Sequence, residues 1–490
     1  MSSPKEVRIG GLAPLPVKAL PEPPRAAHLM GPAIILAAMG IGIGEAIMWP
    51  RMSAMWGPPI LSIGLFGITL QTFVTQEMGK WEMATGESFF YGAGRLWKYW
   101  WLAFFIAALF VYAWPTWLTV WGRAATEIIP LSADPKWSWT LWQWIGILLI
   151  AIFLSGFPVI YRGLETLTFI TTMIAIICGA IIAIGVVSPG VVGSVLAGWV
   201  TPGPYPSEMW SPKFIGFVLG SIAYAGPSGM QQCWYTMWAR DKKMGMGHYI
   251  GRITSWITGE EETIPATGFT FDWTNPEEMR KWEAWRRYGW WDAWVLHEVP
   301  TLLLTSLFAF LAVQAVTSAP EIMPVVRAGK KMKIIGAFAD QARMVGGATM
   351  AGIFMFAVGL EAWDTALSVF DGFSRGEADM LYFFVPGAKK LPLRYWYYVF
   401  LYIWLALGSV VIFLVKPYVI LVTGTSLAAI IMGLYCPTLA YMNFRMLPKE
   451  IARRNWIDWL ALIFLLVGTV FYLGPSTYAA LIKAKIIKPV

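Results

Sequence analysis

Long apolar segments separated by short polar stretches dominate this sequence. Eleven of these segments come close to the roughly 20 residues that a helix needs to cross a bilayer. They lie at about 31–56, 58–77, 99–122, 141–157, 166–188, 214–238, 297–317, 347–371, 395–415, 418–441 and 456–474. The segments do not show the ten-residue alternation that is typical of a membrane β-barrel. The pattern therefore predicts an all-α integral membrane protein with about eleven transmembrane helices.

Composition supports this class and excludes others. Of the 490 residues, 57% are hydrophobic and only 13% are charged, whereas a soluble protein carries about 25% charged residues. With the amino terminus inside, 24 of the 37 Lys and Arg residues fall in inner segments, which predicts a cytoplasmic amino terminus in a plasma (inner) membrane. The five basic residues of 318–346 run against that orientation. The net charge of +8 indicates attraction to anionic lipid, and nothing indicates a nucleic-acid partner.

The polar segments define the predicted domain boundaries. Residues 1–30 form a Pro-rich cytoplasmic arm, and 239–296 form the largest polar insert, also on the cytoplasmic side. Within the insert, the stretch from Asn275 to Trp294 mixes tryptophans with charges and suits a helix at the membrane surface. The three cysteines all fall within spans and match no zinc pattern, so we expect neither a disulfide nor a cofactor.

The first apolar segment is interrupted near its middle by Gly40-Ile41-Gly42-Ile43-Gly44-Glu45. A carboxylate at the centre of a membrane helix costs roughly 2.5–3.5 kcal/mol on insertion scales. Each glycine costs about 1 kcal/mol relative to alanine in a helix interior. A weak and charged helix at this depth is typical of a substrate site in a secondary transporter.

The sixth segment carries a second interruption, at Gly226-Pro227-Ser228-Gly229. Proline removes a backbone hydrogen bond from a helix, so the helix should open here. Two breaks five spans apart predict a LeuT-type inverted repeat of five plus five helices, formed by 31–188 and 189–441, with 442–490 as linker, eleventh helix and tail. The candidate substrate or ion site lies at the two breaks. Its residues are Gly42, Gly44, Glu45, Ala225, Gly226 and Ser228.

The eighth segment contains three further acids, Glu361, Asp364 and Asp371. Their spacing of three and seven residues places them on one helical face. Such a face must look into the bundle or a water-filled path, and neighbouring carboxylates can share a proton. A proton relay, a second cation site and a structural ion pair all remain open. Arg51 is a candidate charge partner for Glu45 or Glu361, and its fixed charge would then argue against a divalent substrate.

At this point the sequence resembles the Nramp family of proton-coupled metal transporters. Gly31-Pro32 opens the first span as in that family, and the family's Asp-Pro-Gly-Asn falls on 42–45. Met83-Ala84-Thr85-Gly86 is similar to its Ala-Thr-Gly segment, and its Met-Pro-His falls on 226–228. The stretch 371–375 is similar to its Glu-Gly-Phe-Leu-Arg. The resemblance covers most of 31–445 and implies a metal transporter with a LeuT-type fold.

The departures from the family pattern concern the ligands themselves. The family's metal-binding Asp, Asn and Met positions are Gly42, Glu45 and Gly226 here, and the histidine position is Ser228. Without the thioether, the remaining carboxylate, hydroxyl and carbonyls suit a hard cation such as Mg²⁺ better than Mn²⁺ or Fe²⁺. We therefore expect a divalent cation transporter that works by alternating access, with Glu45 as the metal ligand and span 8 acids assisting with protons.

Two other functions stay open at this stage. The same ligand set suits an organic cation or an amino acid, because an ammonium group needs only a carboxylate and carbonyls. A membrane subunit that kept the fold and lost transport is the third alternative. We do not expect an enzyme, because no spaced His, Asp and Ser set and no phosphate-binding loop is visible. The expected partners are the lipid bilayer and a small cation or solute.

Overall fold

A computed structural model describes residues 6–24, 30–40, 46–112, 115, 117–328, 331–414 and 417–483. Helices account for nearly all regular structure in this part of the chain. They are α1 Ala33–Gly40, α2 Trp49–Trp56, α3 Leu61–Thr85, α4 Phe89–Leu96, α5 Trp100–Tyr112, α6 Trp117–Ile128, α7 Pro135–Gly156, α8 Ile160–Val186, α9 Pro189–Val200, α10 Ile215–Ala223, α11 Gln231–Asp241, α12 Pro276–Trp291, α13 Val299–Ser318, α14 Met323–Ala328, α15 Lys331–Phe384, α16 Leu393–Leu414, α17 Pro417–Tyr441, α18 Lys449–Ala452 and α19 Trp456–Lys483. A short hairpin, β1 Glu6–Val7 with β2 Leu15–Pro16, is antiparallel.

Nine helical stretches in the described residues are long and apolar enough to cross a membrane. They correspond to predicted spans 2–5 and 7–11. Span 6 is absent from that set because it is divided into two short helices, α10 and α11. Span 1 is described only as α1 and α2, because residues 41–45 lie outside the described part of the chain. The predicted break in span 6 is thereby confirmed, and the chain is an all-α integral membrane protein. The predicted break in span 1 falls on residues outside the described part of the chain.

Several spans extend beyond the apolar segments that predicted them. Helix α3 continues to Thr85, and α15 is bent at Gly346 and Gly347, where Gly347 has φ +65°. The sequence analysis also missed α9, a twelve-residue apolar helix between spans 5 and 6. A segment of that length is too short to span, so the search for transmembrane segments passed over it.

Span 7 does not begin where its apolar segment begins. Helix α12 starts at Pro276, capped by the Asn275 side chain, which accepts a hydrogen bond from the Glu277 N–H. It continues through a π-helical turn, Asp292–Glu298, directly into α13. The helix predicted within the insert is therefore present, and it is continuous with span 7. π-Helical turns inside α-helices occur frequently at functional sites.

The amino-terminal arm packs against the insert. The buried Arg95 side chain donates hydrogen bonds to the carbonyls of Ile9 and Ala13, both at 2.8 Å. Farther along the arm, the Trp285 Nε1–H donates to the Pro21 carbonyl at 2.8 Å. These contacts hold the extended arm close to the start of α1. The assignment of 31–188 and 189–441 as the two repeats stays a prediction.

Candidate substrate site at the helix breaks

Span 6 opens over seven residues, Tyr224 to Met230, between α10 and α11. Gly226 has φ +103° and Gly229 has φ +63°, values that side chains with a Cβ rarely adopt. Pro227 lies between them and lacks the N–H that would continue the helix. The break predicted from the Gly-Pro-Ser-Gly sequence is thus local in origin, and it exposes backbone groups within the membrane domain.

Tyr112 of span 3 satisfies two of those backbone groups. Its buried hydroxyl donates to the Ser228 carbonyl at 2.5 Å and accepts from the Met230 N–H at 2.7 Å. The Ser228 N–H donates to the Gln231 side chain at 2.9 Å. Since unpaired backbone groups are costly in a membrane interior, these bonds stabilise the open segment. They also connect span 6 to span 3.

Span 1 is described on both sides of residues 41–45. Helix α1 ends at Gly40, and the described chain resumes in helical structure at Ala46. The predicted site residues Gly42, Gly44 and Glu45 lie outside the described residues. The end of α1 lies against span 8, because the Thr365 hydroxyl is 3.1 Å from the Ala38 carbonyl.

Glu361 of span 8 lies one helical turn before Thr365. Both of its carboxylate oxygens are buried, and neither has a hydrogen-bond partner within the described part of the chain. The side chain borders a cavity of about 20 Å³, large enough for one water molecule, that Ala46 and Ile47 also line. A buried carboxylate without partners is costly. Glu361 therefore needs a proton, a water molecule or a cation, next to the point where span 1 resumes.

Asp364 lies one turn further along span 8 and is hydrogen bonded. It accepts from the Thr171 hydroxyl at 2.9 Å and from the Thr168 hydroxyl at 3.3 Å, both on span 5. Neutral hydroxyls are its described partners, and they leave its charge uncompensated. Asp364 and Glu361 thus form a buried acidic pair. For this pair, a proton relay and a second cation site both remain open.

Asp371, the third acid, belongs to a separate ion network. Its carboxylate accepts from Arg375 Nε at 2.6 Å and from the Trp238 and Tyr397 side chains at 2.7 Å each. The same arginine also pairs with Asp241 at the end of α11. Of the three roles predicted for the span 8 acids, the geometry of Asp371 matches the structural ion pair.

The described hydrogen bonds of the Arg51 guanidinium go to backbone carbonyls. Its Nε donates to the Val326 carbonyl at 2.7 Å, and Nη2 donates to the Arg327 carbonyl at 2.9 Å. The same group lies 4.1 Å from the centre of the Phe217 ring. The predicted pairing of Arg51 with Glu45 or Glu361 stays a prediction.

Polar residues near the span 6 break that the sequence analysis missed come from spans 2 and 7. His297 and Glu298 lie in the π-helical turn before α13, and Gln71 lies in α3. The only sequence signal was a histidine and a glutamate at the edge of an apolar segment, which is equally typical of a span end. Within the described ranges, no three His, Cys, Asp or Glu side chains converge. A metal bound there would need carbonyl, amide or hydroxyl ligands as well.

A cavity of about 590 Å³, lined by both apolar and charged residues, lies on the side of the insert, next to the start of α1. Met30, Tyr161 and Asp241 are among its lining residues, together with Tyr288 of α12. The cavity thus lies between the start of α1 and the end of α11.

An all-α membrane domain with an unwound sixth span is typical of the LeuT-type fold. No family sequence profile matches the chain, and no curated protein matches it. Among solved structures, a mutant of the Eremococcus coleocola manganese transporter is similar, with a TM-score of 0.62 and 12% identity over 96% of this chain and 95% of that one. The same transporter in complex with an aromatic bis-isothiourea compound gives 0.61 at 12% identity, covering 94% and 89%. Mhp1, a nucleobase-cation-symport-1 family transporter with bromovinylhydantoin bound, gives 0.51 at 14% identity, covering 94% of each chain.

Proposed function

We propose that this protein is a secondary transporter that moves a divalent metal cation across a plasma (inner) membrane by alternating access. The observation that carries the proposal is the open backbone segment 224–230 of span 6 within a LeuT-type fold. Half-helix ends and unwound backbone carbonyls at such a break bind ions or solutes in secondary transporters. The amino terminus would lie in the cytoplasm, as the distribution of Lys and Arg predicts.

The proposed ligands are Glu45, the carbonyls of Ala225 and Gly226, and Ser228. The resemblance to Nramp proteins supports a metal as the substrate, and the likeness to the manganese transporter in fold is consistent with that choice. An oxygen-only ligand set favours Mg²⁺ over Mn²⁺, as the sequence predicts. The calorimetric titration described next detects cation binding and also tests this preference for Mg²⁺.

Replacing Glu45 with Gln is expected to abolish cation binding while leaving the fold intact, because the only proposed charged ligand becomes neutral. The measurement is isothermal titration calorimetry of Mg²⁺, Mn²⁺ and Ca²⁺ into purified protein. Glu321→Gln, at an exposed position, is the matched control and should bind as wild type does. Unchanged affinity in Glu45→Gln would remove Glu45 from the site, and no heat for any metal in wild type would contradict a metal substrate.

Proton coupling through the acidic pair is the second part of the proposal. Asp364→Asn keeps a hydrogen-bond acceptor for Thr171 but cannot release a proton, so we expect a flattened pH dependence of uptake into proteoliposomes. Asp340→Asn, whose side chain is 70% exposed, should keep the wild-type profile. An unaltered profile in Asp364→Asn would reduce this residue to a structural role.

An organic solute is the second candidate, and one observation favours it. Aromatic side chains gather beside the span 6 break, where Tyr112 and Trp234 rings are 4.7 Å apart and Phe373 and Trp404 stack at 4.9 Å. Apolar and aromatic walls with a few polar groups are typical of small-molecule sites. Calorimetric binding of an amine or amino acid, with no response to metals, would establish this candidate in place of the first.

A further inference from the structure

The imidazole of His297 faces the span 6 break from span 7. The side chain is completely buried, and its Nε2 has no hydrogen-bond partner among the described residues. A Cβ atom placed on Gly226 would lie 3.5 Å from this nitrogen and 3.0 Å from Gln71 Oε1. Gln71 Oε1 is also buried and without a partner. Two buried side-chain atoms without described hydrogen-bond partners, His297 Nε2 and Gln71 Oε1, therefore lie close to Gly226 at the break.

The other nitrogen of the ring shows which tautomer is present. His297 Nδ1 lies 3.1 Å from the Thr72 hydroxyl, and that hydroxyl also contacts the Glu298 carboxylate. A hydroxyl has one proton, and a bond to a carboxylate is the stronger use of it. Thr72 then donates to Glu298, so Nδ1 carries the hydrogen and donates to Thr72. With the tautomer assigned from this network, Nε2 has a bare lone pair that faces the break.

This arrangement has the properties of a metal-binding histidine. Metal-binding imidazoles usually donate their second N–H to an oxygen that fixes the orientation of the ring. Here Thr72 is that oxygen, and Glu298 holds Thr72 in turn. The Thr69 hydroxyl anchors the other carboxylate oxygen at 2.8 Å. A buried acceptor without a partner is energetically unfavourable, and a cation at the break would remove that cost.

We propose that His297 Nε2 is a ligand of the cation bound at the span 6 break, so that the substrate is a transition-metal divalent ion. This inference rests on the proposed function and makes its substrate more specific. Imidazole nitrogen suits transition-metal ions such as Fe²⁺, Ni²⁺ and Zn²⁺, whereas Mg²⁺ prefers oxygen. The oxygen ligands alone predict a preference for Mg²⁺. The nitrogen that span 7 adds changes this prediction to a transition-metal ion.

Pulsed electron paramagnetic resonance of bound Mn²⁺ tests the inference directly. The chain has three histidines, so labelling them with ¹⁵N identifies a histidine ligand through its nitrogen coupling. We expect the coupling in wild type and in His248→Gln, which changes an exposed histidine of the insert. It should vanish in His297→Gln. Calorimetry should show Mn²⁺ affinity falling at least about tenfold in His297→Gln, with Mg²⁺ affinity changing less than about threefold because Mg²⁺ does not depend on nitrogen.

Thr72→Val provides a second variant if His297→Gln does not fold. It keeps the imidazole and removes the oxygen that orients it, so Mn²⁺ affinity should fall by roughly 10- to 100-fold while the nitrogen coupling persists. Mn²⁺ bound to wild type without histidine coupling would overturn the role of His297 and leave the proposed function standing. If His297→Gln weakened the binding of Mn²⁺ and of Mg²⁺ equally, that result would also overturn the role of His297 and leave the proposed function standing. Wild type that binds no metal at all would overturn both proposals.

Discussion

Gly229→Ala is expected to destabilise the folded protein severely. Gly229 has φ +63°, a left-handed conformation that costs an L-residue roughly 1–2 kcal/mol. Its new Cβ would also lie 2.3 Å from the Tyr112 hydroxyl, and overpacking of this kind costs about 1–3 kcal/mol. The hydroxyl cannot retreat without losing its bonds to Ser228 and Met230. We expect a large loss of folded protein, measured by thermal unfolding in detergent and by size-exclusion chromatography.

Two further variants separate the components of this effect. Tyr112→Phe removes the overlapping oxygen together with its bonds to Ser228 and Met230. Adding Gly229→Ala to Tyr112→Phe should therefore cost less than adding it to wild type, since the backbone cost remains and the overlap with the oxygen does not. Gly193→Ala is the matched control, because a Cβ there meets open space within helix α9. That change should be neutral or slightly stabilising, since alanine is the better helix former. Wild-type stability in Gly229→Ala would mean that the break has a different backbone conformation.

Arg375→Met is the second change with a large expected effect. Arg375 is completely buried and pairs with both Asp371 and Asp241, which are buried as well. Removing one partner of a buried ion pair costs about 3–5 kcal/mol, because the remaining charge has no compensation. Here two carboxylates would lose their cation. The network connects span 8 to the end of span 6, so its loss should lower the unfolding midpoint substantially.

Arg343→Met provides the matched control for this measurement. Arg343 pairs with Asp340 in the same helix, but both side chains are more than half exposed. Exposed ion pairs contribute roughly 0–1 kcal/mol, so the midpoint should hardly change. Arg375→Lys should fall between the two, since lysine keeps the charge and lacks the planar fork that contacts both acids. A midpoint for Arg375→Met equal to that of Arg343→Met would show that the network contributes little.

The span 8 acids illustrate how far a helical pattern can be taken. Spacing alone placed Glu361, Asp364 and Asp371 on one face, and this is the buried face of α15. The pattern did not distinguish their roles, because the partners come from other helices. Thr168 and Thr171 of span 5 bind Asp364, Trp238 and Tyr397 help to bind Asp371, and Glu361 has no partner in the described ranges.

The sequence by itself determined the class of protein, the eleven spans and the position of the break in span 6. These features follow from local physics. In lipid every backbone group must be satisfied within the protein, so apolar segments of sufficient length become helices. Gly226, Pro227 and Gly229 interrupt one such helix through their own backbone preferences.

Only the tertiary structure decided which side chains meet at the break. Tyr112 reaches Ser228 across 116 residues, and His297 reaches Gly226 from a helix that the hydropathy pattern treats as an ordinary span. The π-helical turn that presents His297 has no local signal in the sequence. Such contacts depend on how helices pack against one another, and hydropathy and spacing describe each helix separately. The chemistry of the proposed site therefore depends on positions that become neighbours only in the folded chain.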